Sequence, residues 1–250
     1  LHAKKHYDGI TNLVEAKSET CLQPRPNTTN NLLLHALCSD TTVPFSLVQL
    51  VLAAHKEVTM IKNDSGKLPL HIACGRGGNG AATTQLILEL INCNRKACSV
   101  HRPNPDPEVP NLRGNLPLHE LLANGEKGVD INPIGIMLLE IHPDAVKEQL
   151  GVPRRYPLEL GLRCGAPDDF LCMMLDIYPN AAKSMSSGFS SLLHWTLSNA
   201  ENKSINLILK LIKAHPEAAQ IKDASGQLPI HIALYKGDII NRNIIQNLLH

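Results

Sequence analysis

The sequence predicts an all-α protein, a solenoid of stacked helix-turn-helix repeats. Three observations carry that prediction. The octapeptide Gly66-Lys67-Leu68-Pro69-Leu70-His71-Ile72-Ala73 returns as Gly226-Gln227-Leu228-Pro229-Ile230-His231-Ile232-Ala233, with a third copy at Gly114-Asn115-Leu116-Pro117-Leu118-His119. Worn copies at 32–37, 156–161 and 191–196 fill the gaps. They complete a column of anchors, His35, His71, His119, Glu159, His194 and His231, spaced by 36, 48, 40, 35 and 37 residues. Between the anchors lies a second recurring half whose apolar residues fall every three or four positions. Such a period marks a repeat array, whose units bury their apolar faces only against one another. The finer spacing is that of an amphipathic helix.

Each element follows in order from local chemistry. The proline of Pro-Leu-His suits the first turn of a short helix A, where a missing N–H costs nothing. Glycine- and asparagine-rich stretches at 75–80, 124–128 and 164–167 then read as exposed loops. Helix B comes next, for example at 136–142, 171–178 and 207–215. Pro143, Pro179 and Pro216 end it, because a proline disfavours helical geometry at the residue before it. From this column to the next helix A the distance is 13 or 14 residues, except for 22 between Arg95 and Pro117. The excess falls at 99–110, where four prolines favour an extended loop with no core of its own. The chain thus reads as one array over 1–250. A leading helix B at 8–22 precedes repeats at 30–62, 63–98, 111–150, 151–184, 185–221 and 222–250, with the inserted loop at 99–110. Neither end carries the polar capping repeat an array requires, so the sequence reads as an excerpt of a longer polypeptide.

Composition narrows the function classes. A hydrophobic fraction of 43% supplies a core, and 3% aromatics suit Leu/Ile-rich helical packing. A net charge of +1 gives no overall field for nucleic acid or an anionic membrane. No apolar run reaches the roughly 18 residues of a membrane span, which argues against membrane insertion. The seven cysteines show no paired metal spacing, Cys93 and Cys98 included, and no metal site is expected. Cys38 and Cys74 sit three residues after their anchors, in a column shared with Leu122, Leu162, Leu197 and Leu234. That column reads as buried, with cysteine acting as a small hydrophobe. Free buried thiols point to a reducing compartment, cytoplasmic or nuclear.

From Pro216 to His231 the chain aligns without a gap to the ankyrin-repeat pattern, with Asp223, Gly226, Pro229, His231 and Ala233 in the family's columns. The whole array resembles an ankyrin-repeat protein, in a divergent form with Leu-Pro-Leu-His and His-Pro-x-Ala-Ala motifs similar to protist and algal arrays. It departs from the family in two places. Leu68, Leu116 and Leu228 replace a turn threonine, and Pro143, Pro179 and Pro216 replace the glycine that closes helix B. The 20–24 residues from the anchor to that proline column exceed what a 33-residue repeat requires, so a tetratricopeptide- or armadillo-type solenoid stays open. The resemblance implies that His35, His71, His119, His194 and His231 are structural, bonding backbone near the turns. Glu159 in the anchor column reads most simply as local degeneration with solvent access. Its sharper reading is a partly buried carboxylate with a specific partner.

No nucleophile-elbow, phosphate-loop, dinucleotide-fold or zinc-protease signature is present, and nothing converges on nucleophile, base and oxyanion roles. A non-enzyme without cofactor or small-molecule substrate is expected. The resemblance implies a scaffold that binds another protein through turn tips and the inner face of the A helices. The residues so selected are Lys62, Asp64, Lys67, Arg76, Arg113, Asn115, Arg154, Arg155, Tyr156, Lys222, Gln227, Tyr235 and Lys236. Eight of these are basic, which favours a partner with an acidic surface or peptide. Nucleic acid is disfavoured, since the array has no stacking platforms. Two rivals stand beside this reading, a targeting or regulatory segment of an enzyme such as a ubiquitin ligase or kinase, and a ligand-free architectural spacer.

Overall fold

The computed structural model describes residues 32–40, 42–76, 80–103, 114–123, 130–149, 155–186, 190–237 and 242–249. The expected helix at 8–22 lies outside them. The chain falls into two compact units, Leu1–His142 and Pro143–His250.

The first unit alternates short A helices, α1 (Leu33–Ser39), α3 (Pro69–Gly75) and α5 (Pro117–Ala123), with B helices α2 (Phe45–Ala54), α4 (Gly80–Cys93) and α6 (Ile131–Ile141). The second repeats the scheme with α7 (Pro157–Arg163), α8 (Asp168–Ile177), α9 (Leu192–Ser198), α10 (Ile205–Ala214), α11 (Pro229–Tyr235) and α12 (Arg242–Leu249). In the first unit A helices pack on A helices (α1 on α3, α3 on α5) and B on B (α2 on α4, α4 on α6). In the second, α9 packs on α11, α8 on α10 and α10 on α12. The only strands among the described residues are β1 (Met185–Ser186) and β2 (Ser190–Ser191), paired antiparallel in one turn.

Every B helix from α2 to α10 ends the same way. The next residue (His55, Asn94, His142, Tyr178 or His215) takes φ between −138° and −153° and ψ between 74° and 93°. A five-residue 3₁₀ turn follows, as at Lys56–Met60 and Pro216–Gln220. Proline follows that residue in the second unit and at Pro143, but Lys56 and Arg95 stand there in the first. Proline therefore favours a geometry that the repeat adopts without it. Each 3₁₀ turn buries its third and fourth residues, such as Ala181 and Ala182 or Ala97 and Cys98, which accounts for the small residues of the His-Pro-x-Ala-Ala motif.

Two expectations are corrected. Cys38, Cys74, Leu122, Leu162 and Leu197 are buried, but Leu234 of the same column is 59% exposed. In α1, α3 and α9 the next helix A packs alongside (α3, α5 and α11), and among the described residues α11 is packed by α9 and α12. The insertion also starts later than 99, and its base is packed. Ser99 closes a 3₁₀ turn, Arg102 pairs with buried Glu120 (3.0 Å), and the Arg102 N–H donates to the Asn115 carbonyl (3.1 Å). Pro103 lies so close to Gly66 that a Cβ there would stand 2.0 Å from its ring.

Candidate functional site

The anchor histidines are built into the fold. The N–H of the residue capping helix A donates to the ring Nδ1, from Leu32 to His35 (3.2 Å), Leu68 to His71 (3.3 Å) and Leu228 to His231 (2.9 Å). An N–H can only donate, so Nδ1 is the acceptor and the ring proton sits on Nε2. From there His35 donates to the Ile61 carbonyl (3.0 Å), and His194 to the Gln227 carbonyl (3.1 Å), each in the turn of the next repeat. The His35 ring thus closes its own helix start and ties its repeat to the next. The bond accepted at Nδ1 requires neutral imidazole. Burial pushes the pKa of His35 down, and that of His71 down to about 4, against the pull of nearby carbonyls. His71 Nε2 is buried without a hydrogen-bond partner among the described residues.

Glu159 departs from its simpler expectation. It is 2% exposed, so solvent does not reach it. Its Oε1 takes Nε of both Arg155 and Arg163 at 3.2 Å, and its Oε2 accepts from Ser184 Oγ at 3.3 Å. The charge is buried because it is paired, and Ser184, 25 residues downstream, supplies the link that an anchor histidine makes elsewhere. Glu120, 6% exposed and bound by Arg102 and Asn115 Nδ2 (3.2 Å), is a second buried carboxylate that motif reading passed over.

These pairs thin out the basic edge expected at the turn tips. The Arg76 guanidinium donates to three carbonyls at the end of α1, those of Leu37 (3.4 Å), Cys38 (3.0 Å) and Asp40 (2.8 Å), and to Thr83 Oγ1 (3.1 Å). Arg155 is held on Glu159, Lys236 pairs with Glu201 (3.1 Å), and Asn115 holds Glu120. Asp223 Oδ1 accepts the N–H groups of Ser225 and Gln227, as Asn63 does in the equivalent turn. Arg113 and Arg154 lie outside the described residues. Lys62, Asp64, Lys222 and Gln227 remain on exposed turns, with Lys67 half-buried. Tyr156 caps α7 and meets Tyr178, with ring centroids 5.6 Å apart.

The exposed face of the second unit's A helices carries Tyr235, expected from the sequence, together with Trp195, Ser198 and Ile232, which motif reading did not select. Trp195, the chain's one tryptophan, follows its anchor directly and is half-buried; Ile232 occupies the equivalent place on the neighbouring α11. Three positions further on stand Ser198 and Tyr235, the latter 90% exposed. The register of Trp195, one after the anchor, was the available signal. The same positions in the first unit hold Ala36, Ile72 and Glu120, then Ser39, Gly75 and Ala123, with no aromatic among them. Among the described residues, open clefts lie between B helices. One of about 370 Å³ is bordered by Lys56, Glu89 and Cys93, and one of about 300 Å³ by Asp176, Lys210 and Lys213. Among the described residues no group of three or more His, Cys, Asp or Glu side chains could hold a metal ion, and no helix is long and apolar enough to cross a membrane.

This architecture is an ankyrin-repeat fold. The chain is similar to the Legionella pneumophila effector AnkC (TM-score 0.52, 13% identity, covering 98% of this chain and 75% of that one). It is also similar to a chain in the structure of a predatory endopeptidase from Bdellovibrio bacteriovorus in complex with an immunity protein (TM-score 0.55, 12% identity, 86% and 96% covered). A looser likeness (TM-score 0.46, 18% identity, 96% and 91% covered) links it to the ankyrin repeat domain of Bcl-3, of the IkappaB protein family. No model of a protein family matches the sequence, and no curated protein does.

Proposed function

We propose that the chain is a non-catalytic scaffold that binds another protein through its turn tips and the exposed face of its A helices. The observation that carries this reading is the pairing of Trp195 and Ser198 on α9 with Ile232 and Tyr235 on α11. Side by side, they offer a half-buried indole, an aliphatic side chain and a fully presented phenol. Large amphipathic side chains in this state are the usual anchors of protein interfaces. The buried polar side chains support the same reading, because His35, His194, Glu120, Glu159 and Arg76 are occupied within the fold rather than aimed into a cavity. A similar fold was solved in a complex between proteins, which fits this use.

The test is site-directed photo-cross-linking in extract of the native cell. A benzophenone amino acid at position 235 should give discrete protein adducts, while the same group at exposed position 217, on the 3₁₀ turn after α10, should not. Identical adducts from both positions, or none from either, would sink the reading.

A further inference from the structure

The second unit also states the chemistry of what it binds. Trp195, Ile232 and Tyr235 form an apolar strip across two adjacent A helices. At the turn end of these helices two lysines stand exposed, Lys183 at the close of the 3₁₀ turn Pro179–Lys183 and Lys222 just after Pro216–Gln220. Helix α9 packs against the first of these turns and α11 against the second, so both lysines lie at the turn end of the helices that carry the strip. Neither has a carboxylate partner among the described residues. Of the acidic groups near Lys222, Asp223 spends its Oδ1 on two backbone N–H groups and Glu217 lies 3.9 Å from His215 Nε2. At the opposite end of the helices charge is already balanced, Lys236 against Glu201 and Lys203 against Asp168.

We infer that this strip and its lysine edge receive an amphipathic acidic segment of a protein partner, apolar side chains on Trp195, Ile232 and Tyr235 and carboxylates toward Lys183 and Lys222. The inference rests on the interaction reading above and adds its chemistry. Desolvation of the aromatic strip would supply most of the affinity, and the lysines would set orientation and speed of encounter. An acidic segment without apolar residues has nothing to place on the strip. A basic one meets uncompensated like charge.

Trp195 is the built-in reporter. Its emission is followed while the full chain is titrated with three synthetic peptides. One has Leu and Phe at helical spacing and Glu elsewhere; the second replaces each Glu by Lys; the third keeps Glu and replaces the apolar residues by Ser. A saturable blue shift is expected with the first peptide alone. Tyr235→Ala should weaken it roughly tenfold. Lys183→Glu with Lys222→Glu should abolish it and leave the far-ultraviolet circular dichroism unchanged. Equal binding of the acidic and basic peptides, or indifference to the lysine changes, overturns the inference. So does a shift of Trp195 with protein concentration and no peptide, which would make a second copy the occupant. If cross-linking from position 235 succeeds while the peptides are not discriminated, the interaction reading stands and this inference falls. If both fail, both fall.

Discussion

The same octapeptide occurs in two settings, and its copies differ in everything except local geometry. In both, the turn is closed alike. The residue at 63 or 223 bonds the N–H and C=O across it, and Gly66 or Gly226 takes φ of 69° or 77°. In both, the cap N–H reaches the anchor Nδ1. Yet Leu68, Leu70, His71 and Cys74 are at most 1% exposed, whereas Leu228 and Ile230 are half-buried and His231, Leu234 and Tyr235 are exposed. Helix α3 lies between α1 and α5; α11 is packed by α9 and α12. Within a repeat, sequence sets the backbone, but burial is conferred by the neighbouring helices. The same motif therefore specifies one local shape that its surroundings bury to different degrees.

The sharpest way to break this comparison is to truncate the paired core positions. Leu70→Ala should cost roughly 2–5 kcal/mol, the cost of a cavity in a close-packed core, while Ile230→Ala should cost about 1 kcal/mol or less. Urea denaturation of each variant measures both. Equal costs would show that burial does not distinguish the copies. Acidification probes the same contrast through His71. Its ring stays neutral in the folded state down to about pH 4, while in the unfolded chain it takes up a proton as pH falls through 6.5. The depressed pKa therefore contributes fully above 6.5 and is lost progressively between 6.5 and 4, to a limit of roughly 3 kcal/mol. The urea midpoint of the wild type should fall across that window, and His71→Asn should flatten the fall. A midpoint equally pH-dependent in the variant would remove His71 as the cause.

Much of the fold was legible because it repeats. Six copies of an anchor and a helix-ending column give the helix order, the prolines at the first turn of α3, α5, α7 and α11, and the buried cysteine column. The interaction surface was legible only in part, because side-chain pairing does not follow the repeat. Arg76 and Arg155 fall in tip columns by number, but one is drawn to carbonyls 36 to 39 residues upstream and the other to a glutamate four residues on. Glu159 looked like decay because a one-column reading cannot see that Arg155, Arg163 and Ser184 converge on it. Trp195 stands in a worn copy of the motif, at a position where the other copies hold no aromatic residue.

The two turn glycines give a third contrast. Both need the left-handed region, so alanine at either costs about 1 kcal/mol in backbone strain. At Gly226 the new methyl meets nothing within 4 Å, but at Gly66 it would stand 2.0 Å and 2.3 Å from ring atoms of Pro103. Gly66→Ala should therefore cost roughly 1–3 kcal/mol more than Gly226→Ala, the range for overpacking against a stiff neighbour. Thermal unfolding of the two variants decides it, and equal losses would mean that the base of the insertion yields freely.

The smallest contrast tests whether a basic tip residue belongs to the fold or to the partner. Arg76 and Lys236 occupy the same position, five residues after their anchors. The Arg76 guanidinium caps the end of α1, where carbonyls lack intrahelical partners and a cation is favoured. Lys236 makes one ion pair with Glu201, whose side chain is 61% exposed. Hydrogen bonds to a charged group net more than neutral ones, so Arg76→Met should lose about 2 kcal/mol, which urea titration resolves. An ion pair with one partner in solvent contributes about 0–1 kcal/mol, so Lys236→Met should barely move the midpoint. Cross-linking from position 235 should be unchanged in Arg76→Met at temperatures where the variant is folded. A variant that keeps wild-type stability but loses the adducts would reverse the assignment and return Arg76 to the binding surface.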